Sequence, residues 1–401
     1  MSARRKTTVG VIFGGRSVEH DVSVVTGHQV MRAFDSERYE IVPIYITRDG
    51  KWVTGDPLME LKNFRNEIIS LANVQPVVLS PSTQHHGLIV NPAAGGLFAR
   101  PVIKRLDVVF PTIHGSHGED GTLQGLLELA DIPYVGCGVM ASAIANDKVM
   151  TKTVLKAAGI PVVESIPFTR HEWEAAPDML LAQIRERLTF PVFVKPVTLG
   201  SSIGINRVTQ DDNLLHAAID VAANLDSRIM VESAVVHAVE INASVIGDDR
   251  GYQVSVLEQP LSWESFLTYE EKYLSGGDGM KSAQRIIPAP ISDGLTHTIR
   301  ALAERTFRVI DGRGIARIDF LVQPETDTVY VNEINTMPGS LAFYLWTETG
   351  LSPRELVQKL VEWAQDAHAQ KRRNTYDYQT NLIALTAARG LKGTKGAKRA
   401  R

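Results

Sequence analysis

Residues 317–335 read RIDFLVQPETDTVYVNEIN, two runs of alternating apolar and polar residues on either side of the turn-like segment PETDT. Period-two alternation around such a segment marks a β-hairpin. Centring the turn on Thr326 sets Asp319 opposite Glu333, Arg317 opposite Asn335 and Leu321 opposite Val331. Arg317, Asp319, Glu333 and Asn335 then share one face, and Ile318, Phe320, Tyr330 and Ile334 the other. The second face is core. On the first, two carboxylates would have Cβ atoms about 4.5–5.5 Å apart and repel unless neutralised. Two readings fit: hard oxygen ligands for Mg²⁺, which takes a few carboxylates plus substrate phosphates, or a solvated face held by an Arg317 ion pair.

A second stretch, KPVTLGSSIGI, decides between them. Lys195 ends an apolar strand, and Gly200-Ser201-Ser202-Ile203-Gly204 follows, so an ammonium stands beside a loop whose N–H groups and hydroxyls can surround phosphate oxygens. The P-loop spacing GxxxxGK[ST] is absent, which disfavours Walker-type binding. Joined to the carboxylate and amide cluster, the loop argues for ATP with Mg²⁺.

Elsewhere the chain alternates strands and helices. TTVGVIFGGRSVEHDVSVVTGHQVMRAF is an apolar run, a glycine turn and a helical stripe of Val18, Val22, Val25 and Val30. LDVVFPTIHGSHGEDGTLQGLLELA repeats the pattern, with Asp120 as a candidate N-cap ahead of Leu123, Leu126, Leu127 and Ala130. Such alternation predicts a parallel sheet flanked by helices, with ligands at the carboxyl ends of its strands. The segment from Gly50 to Arg100 reads as an elaboration of this first unit.

The expected fold class is therefore α/β and α+β. An N-terminal parallel α/β sheet domain spans 1–138, and a small central domain with strands around the serine loop spans 139–237. A third domain, 238–370, carries the hairpin, a helix from Gly294 to Ile310 and a last helix from Ser352 to Gln370; a basic tail, 371–401, follows.

With 401 residues, 44% of them hydrophobic, the chain can build several cores, while a net charge of −3 supplies no basic field for nucleic acid or anionic membrane. The single cysteine, Cys137, excludes an internal disulfide and reads as a small buried hydrophobe. No apolar run approaches the roughly 18 residues of a membrane helix. A cytoplasmic location is expected.

In order along the chain, VIFGGRSVEHDVS, HGSHGEDGTLQGLLELADIPYVGCG, NDKVMTK, VFVKPVTLGSSIGI, YEEKY, ARIDF and NEINTMPG resemble the motifs of the D-alanine:D-alanine ligases of the ATP-grasp superfamily. The resemblance implies a three-domain ATP-grasp fold and an ATP-dependent ligase that makes D-alanyl-D-alanine through a D-alanyl phosphate. It implies two Mg²⁺ or Mn²⁺ ions held by Asp319, Glu333 and Asn335, with ATP as co-substrate bound by Lys148, Lys195, Ser202, Gly204, Glu232 and Glu240. Arg317 and a backbone N–H near Gly339 resemble the donors to the tetrahedral oxyanion. Glu19 resembles the group that holds the first D-alanine's ammonium, with His114 beside the same substrate. Ser201 and Tyr273 resemble its links to a mobile loop, and Lys272 lies beside them. The polar loop from Glu270 to Gln284 is expected to close over the site. A homodimer is implied, with no nucleic-acid or membrane partner.

Two departures stand out. GSLAFYLW follows NEINTMPG at once, where the family continues to a serine-containing stretch that receives the second substrate's carboxylate, so Ser340 and Leu341 are the candidates for that task. HAVE replaces the usual glycine and arginine ahead of Glu240. The first departure keeps D-serine and D-lactate open as second substrates, whereas a tyrosine at 273, rather than phenylalanine, favours the dipeptide.

Overall fold

A computed structural model describes residues 5–65, 68–90, 102–261, 285–376, 381 and 383. Lys272, Tyr273 and the loop expected to act as a lid lie outside the described residues, as does nearly all of the basic tail.

The first sheet contains β1 (Thr7–Gly14), β2 (Tyr39–Ile46), β3 (Trp52–Thr54), β4 (Gln75–Leu79), β5 (Gly87–Val90), β6 (Val102–Arg105) and β7 (Val108–Pro111), in the order β6-β5-β4-β3-β2-β1-β7. It is parallel only where β1 meets β2 and β7; the rest of the sheet is antiparallel. The expected parallel sheet is thus a mixed one. Among the described residues between Trp52 and Arg105 no long helix is available for a crossover, and strands joined by short links pair antiparallel.

β1 is buried nearly throughout because both of its faces are covered. Val9, Val11 and Phe13 pack with Val24, Val30 and Met31 of the helix His20–Ala33, while Ile12 packs on the other side with Leu123 and Leu127 of the helix Thr122–Leu129. The N-cap of that second helix is Gly121 in a left-handed conformation, not Asp120. Asp120 instead accepts from the backbone of His117 and Thr122, closing the turn before the helix.

A second sheet, β8 (Ser165–Thr169), β9 (Val192–Pro196), β10 (Asn206–Val208) and β11 (Arg228–Ser233), is antiparallel in the order β10-β9-β11-β8. Val192, Val194, Ile229 and Val231 form its core with Ile184, Leu215 and Ile219 of the covering helices. β9 and β10 flank the serine loop, as the sequence indicates.

The third sheet joins β12 (Val239–Asp248), β13 (Gly251–Pro260), β14 (Arg285–Ile286), β15 (Gly314–Gln323) and β16 (Thr328–Asn335) in the order β14-β13-β12-β15-β16. Its apolar face packs on the helix Asp293–Val309 through Ile299, Ala303 and Phe307. The helices Val139–Asn146 and Lys148–Ala157 also contribute Ala141, Ala145 and Leu155 to this core. The last helix, Pro353–Lys371, starts at a Ser352–Glu355 capping box and sends Leu356, Leu360 and Val361 into the core beside β1. That cluster also takes in Ile246, Ile315, Leu341 and Trp346, so the first and third sheets share a continuous apolar seam.

The hairpin forms, with one correction. Arg317 pairs with Asn335 and Asp319 with Glu333 as expected, but the register shifts after Asp319, and Phe320 pairs with Val331 and Leu321 with Tyr330. A β-bulge adds one residue to the second strand and exchanges which side chains face the core beyond it. Val331, fully buried, takes the place expected of Tyr330.

Candidate active site

Across the third sheet a polar row crosses four strands: Glu333, Asp319, Asn242 and Glu258 are successive lateral neighbours on β16, β15, β12 and β13. Arg317 lies two residues from Asp319 and forms a fork onto it, with Nε donating to Oδ1 at 2.6 Å and Nη2 to Oδ2 at 2.7 Å. Asn335 Nδ2 donates to Oδ2 at 3.0 Å. Burial pushes the Asp319 carboxyl up, to about 7, and the Glu333 and Glu240 charges add to that against the opposing Arg317. Among the described residues no three His, Cys, Asp or Glu side chains converge as a ready metal cage. The oxygens on offer are Asp319, Glu333 and the Asn335 amide. That set of hard oxygens fits Mg²⁺ or Mn²⁺ if phosphate oxygens and water complete the shell.

The opposite balance holds on the second sheet. Glu232, 1% exposed, meets Lys152 Nζ at 2.9 Å and also pairs with Lys195. Burial works to raise its carboxyl, yet the two ammonium groups prevail and hold it down at about 2. Lys148 Nζ donates to Leu199 O at 2.6 Å, at the mouth of the serine loop. Burial lowers the Lys148 ammonium, and the charges that act on it include Glu333, Lys195, Glu232 and Glu19, so these groups share one neighbourhood. Glu240 stands exposed on the same face of β12 as Asn242, within electrostatic reach of Asp319. Lys152 is a member of this ion-pair cluster that the sequence pattern did not single out; it lies one helical turn beyond Lys148, which is the signal that could have found it.

The serine loop reaches back to the first sheet. Ser201 and Ser202 adopt positive φ of 53° and 59°, and Gly204 has φ of 74°. Ser201 Oγ donates to Glu19 Oε1, joining positions 182 residues apart. Glu19 itself starts the helix His20–Ala33 and is 9% exposed. A Cβ on Gly115 would come within 2.6 Å of Glu19 Oε2, so glycine there keeps the carboxylate in place.

His114 is brought to the site but is committed on both sides. Nδ1 donates to Met337 O at 2.7 Å, and Nε2 accepts from Thr26 Oγ1 at 2.9 Å. The carbonyl can only accept, which fixes the neutral tautomer. Burial first, and Arg317's charge, push the ring down to about 4. Ser340 and Leu341, with Ala342, form a left-handed turn at φ near 51°, 48° and 48° directly after Gly339. The Leu341 side chain is fully buried in the apolar seam, so only its backbone faces the site. Tyr344 occupies the end of the polar row instead, donating to Glu258 Oε1 at 2.5 Å beneath the Arg285 guanidinium, 4.0 Å from its ring centroid.

Cys137 is buried and its thiol is pushed up to about 12 by burial, in keeping with a packing role. Among the described residues no helix is long and apolar enough to cross a membrane.

Comparison with known proteins adds the family. Residues 8–137 match the model for the D-ala D-ala ligase N-terminus, and residues 154–362 the model for the D-ala D-ala ligase C-terminus. The chain is 37% identical over 383 residues to a D-alanine–D-alanine ligase of Natranaerobius thermophilus, covering 93% of this chain and 99% of that protein. A Thermosipho africanus ligase of the same name is 38% identical over 379 residues, 94% of this chain and 98% of that protein. Among solved structures, the VanG D-Ala:D-Ser ligase of Enterococcus faecalis superposes with a TM-score of 0.77 at 32% identity, over 90% of this chain and 100% of that one. The D-alanine-D-alanine ligase of Coxiella burnetii gives a TM-score of 0.75 at 30% identity, over 92% and 98%.

Proposed function

The chain belongs to the D-alanine–D-alanine ligase family, and from that membership we propose that it joins two D-alanine molecules at the expense of ATP for cell-wall peptidoglycan. The observation that carries this reading is that the serine loop between β9 and β10 joins Ser201 to Glu19, which follows β1, while Lys148 is held at the mouth of the same loop by Leu199 O. In the first step an oxygen of the D-alanine carboxylate attacks the γ-phosphorus. The bond to ADP breaks, and an acyl phosphate results. In the second, the amine of the other D-alanine attacks the acyl carbon, loses a proton, and phosphate leaves.

Glu19 holds the first ammonium by charge. Lys148 and Lys195 draw the phosphates in, Ser201, Ser202 and Gly204 cover them, and Glu232 keeps both Lys195 and Lys152 oriented from the nucleotide side. Glu240, on the exposed end of the same sheet face, is suited to the ribose hydroxyls. Asp319, Glu333 and Asn335 would hold Mg²⁺ or Mn²⁺, which when bound neutralises phosphate charge. Arg317 and the Gly339 N–H donate to the oxyanion. His114 serves the first-substrate pocket by holding peptide 337. Ser340, through its backbone and hydroxyl, borders the second pocket. The second and third sheets support a division near residue 237, the end of the N-terminal family match at 137 supports one near residue 138, and we assign the enzyme a cytoplasmic, homodimeric state on family grounds.

Two observations favour a second reading: the shortened GSLAFYLW segment and the likeness to a D-Ala:D-Ser ligase both bear on the second substrate. The deciding experiment measures phosphate release from ATP and Mg²⁺ with D-alanine alone and with D-alanine plus D-serine or D-lactate, identifying products by mass. Dipeptide from D-alanine alone is expected. Product only from a mixed pair transfers the assignment to the second reading, and no phosphate release in any mixture overturns both.

A further inference from the structure

The turn that presents Gly339 is pinned from both sides, by His114 and by two residues that hold no assigned role, Glu119 and Thr26. On one side the Met337 peptide is gripped twice: Glu119 Oε1 accepts from its N–H at 2.7 Å, and His114 takes its carbonyl at 2.7 Å. On the other, Ser340 N–H donates to Thr26 Oγ1 at 3.1 Å, and that hydroxyl donates onward to His114. The chain of bonds closes on itself: Ser340 to Thr26 to His114 to Met337, with Pro338 and Gly339 held between. Glu119 Oε2 also accepts from Gly115 N at 2.8 Å, tying the grip to the loop that carries His114.

A turn of this kind does not hold itself. Three consecutive non-glycine residues at positive φ, Ser340 to Ala342, are each disfavoured, and such backbone persists only where the surroundings over-determine it. Thr26 lies fully buried in the middle of the helix His20–Ala33, and its hydroxyl has two partners, His114 and the Ser340 N–H. Resting on the ligase reading above, we propose that Thr26 and Glu119 are positioning residues that hold the Gly339 N–H at the place where the tetrahedral oxyanion develops, and so act in the amine-attack step rather than in formation of the acyl phosphate. Glu119 is within electrostatic range of both Glu19 and Arg317, and burial, with the Glu19 charge, pushes its carboxyl up to about 8, which marks it as a costly group in a crowded site.

The test uses the full chain with ATP, Mg²⁺ and D-alanine, following phosphate and dipeptide together. Thr26→Val keeps the volume and removes the hydroxyl. Loss of a buried partner of this kind lowers the rate of dipeptide formation by roughly ten- to a hundredfold, with the KM for ATP within about twofold of wild type. Because the acyl phosphate still forms and then hydrolyses, more than one phosphate is released per dipeptide. Thr26→Ser, which restores the hydroxyl, recovers the rate and the one-to-one ratio. Glu119→Gln changes the same two quantities in the same direction and carries the test if Thr26→Val unfolds. Full activity of both variants, or equal loss of phosphate and dipeptide, overturns the proposal. Wild-type protein that makes neither overturns instead the ligase reading on which it rests.

Discussion

Two charge clusters, one on the second sheet and one on the third, treat a buried carboxylate in opposite ways. On the second sheet one carboxylate, Glu232, is shared by two lysines and is held down at about 2. On the third sheet one arginine, Arg317, serves Asp319 while Glu333 and Glu240 crowd the same carboxylate and help push it up to about 7. At Glu232 the two ammonium groups outweigh burial, whereas at Asp319 burial and the neighbouring carboxylates outweigh Arg317. Under the proposed function, a triphosphate with its metal ion would bridge the two clusters. In addition, Arg317 engages both oxygens of Asp319, so an ion entering there must share those oxygens or release the guanidinium toward the substrate.

The comparison breaks first at Glu333. Glu333→Gln removes one of two carboxylate ligands and is expected to lower ATP turnover by about a thousandfold or more, with the fold intact by circular dichroism. Titration of the variant with Mn²⁺, followed by electron paramagnetic resonance, should show weakened binding in the presence of ATP. Retained turnover would remove the metal role. Arg317→Ala is expected to cost roughly 10²–10³ in kcat while ATP binding changes little, because an oxyanion donor acts mostly in the transition state. Comparable losses in kcat and in ATP affinity would make Arg317 a ground-state clamp.

The lysine cluster is tested through stability. Glu232→Gln leaves two buried ammonium groups without an anion and is expected to cost about 3–5 kcal/mol at neutral pH. The sign with pH follows from the depressed carboxyl. Its stabilisation is present above the usual glutamate value, near 4.5, and is lost as pH falls through about 2. Urea unfolding of wild type and variant should therefore converge between those limits, and a difference that stayed constant there would show that the ion pair is not its source. The smallest effect is expected at Glu240, which is exposed. Glu240→Gln should raise the KM for ATP a few-fold, roughly the value of one solvent-screened hydrogen bond. No change would assign the ribose elsewhere.

Much of this was legible before any coordinate. Alternation in RIDFLVQ and in TVYVNEIN set Arg317, Asp319, Glu333 and Asn335 on one face, and the register at that end of the hairpin is as read. At the other end the bulge intervened, since period-two counting carries no information about where a strand gains a residue. Lys195 and the serine loop were readable from strand-glycine chemistry. Lys152 and Asn242 were readable in principle, being one helical turn from Lys148 and two strand residues from Glu240. Thr26 was not, because a hydroxyl in an apolar helix stripe looks like any other small residue until its partners arrive from 88 and 314 residues away. The mixed character of the first sheet was likewise hidden, because short strands announce themselves without announcing their direction.

The amino-acid order by itself determined the kinds of group present, the faces on which they lie and the ligase family to which the chain belongs. Side-chain period, turn chemistry and motif order are local properties, and the residues fix them directly. Only the tertiary structure decided which groups touch: Ser201 with Glu19, His114 with Met337, Glu232 between two lysines, Tyr344 at the end of the polar row. Hydrogen bonds and ion pairs tolerate only a few tenths of an ångström in the placement of segments far apart in sequence. Those distances are set by how the three sheets and the last helix pack around their shared apolar seam.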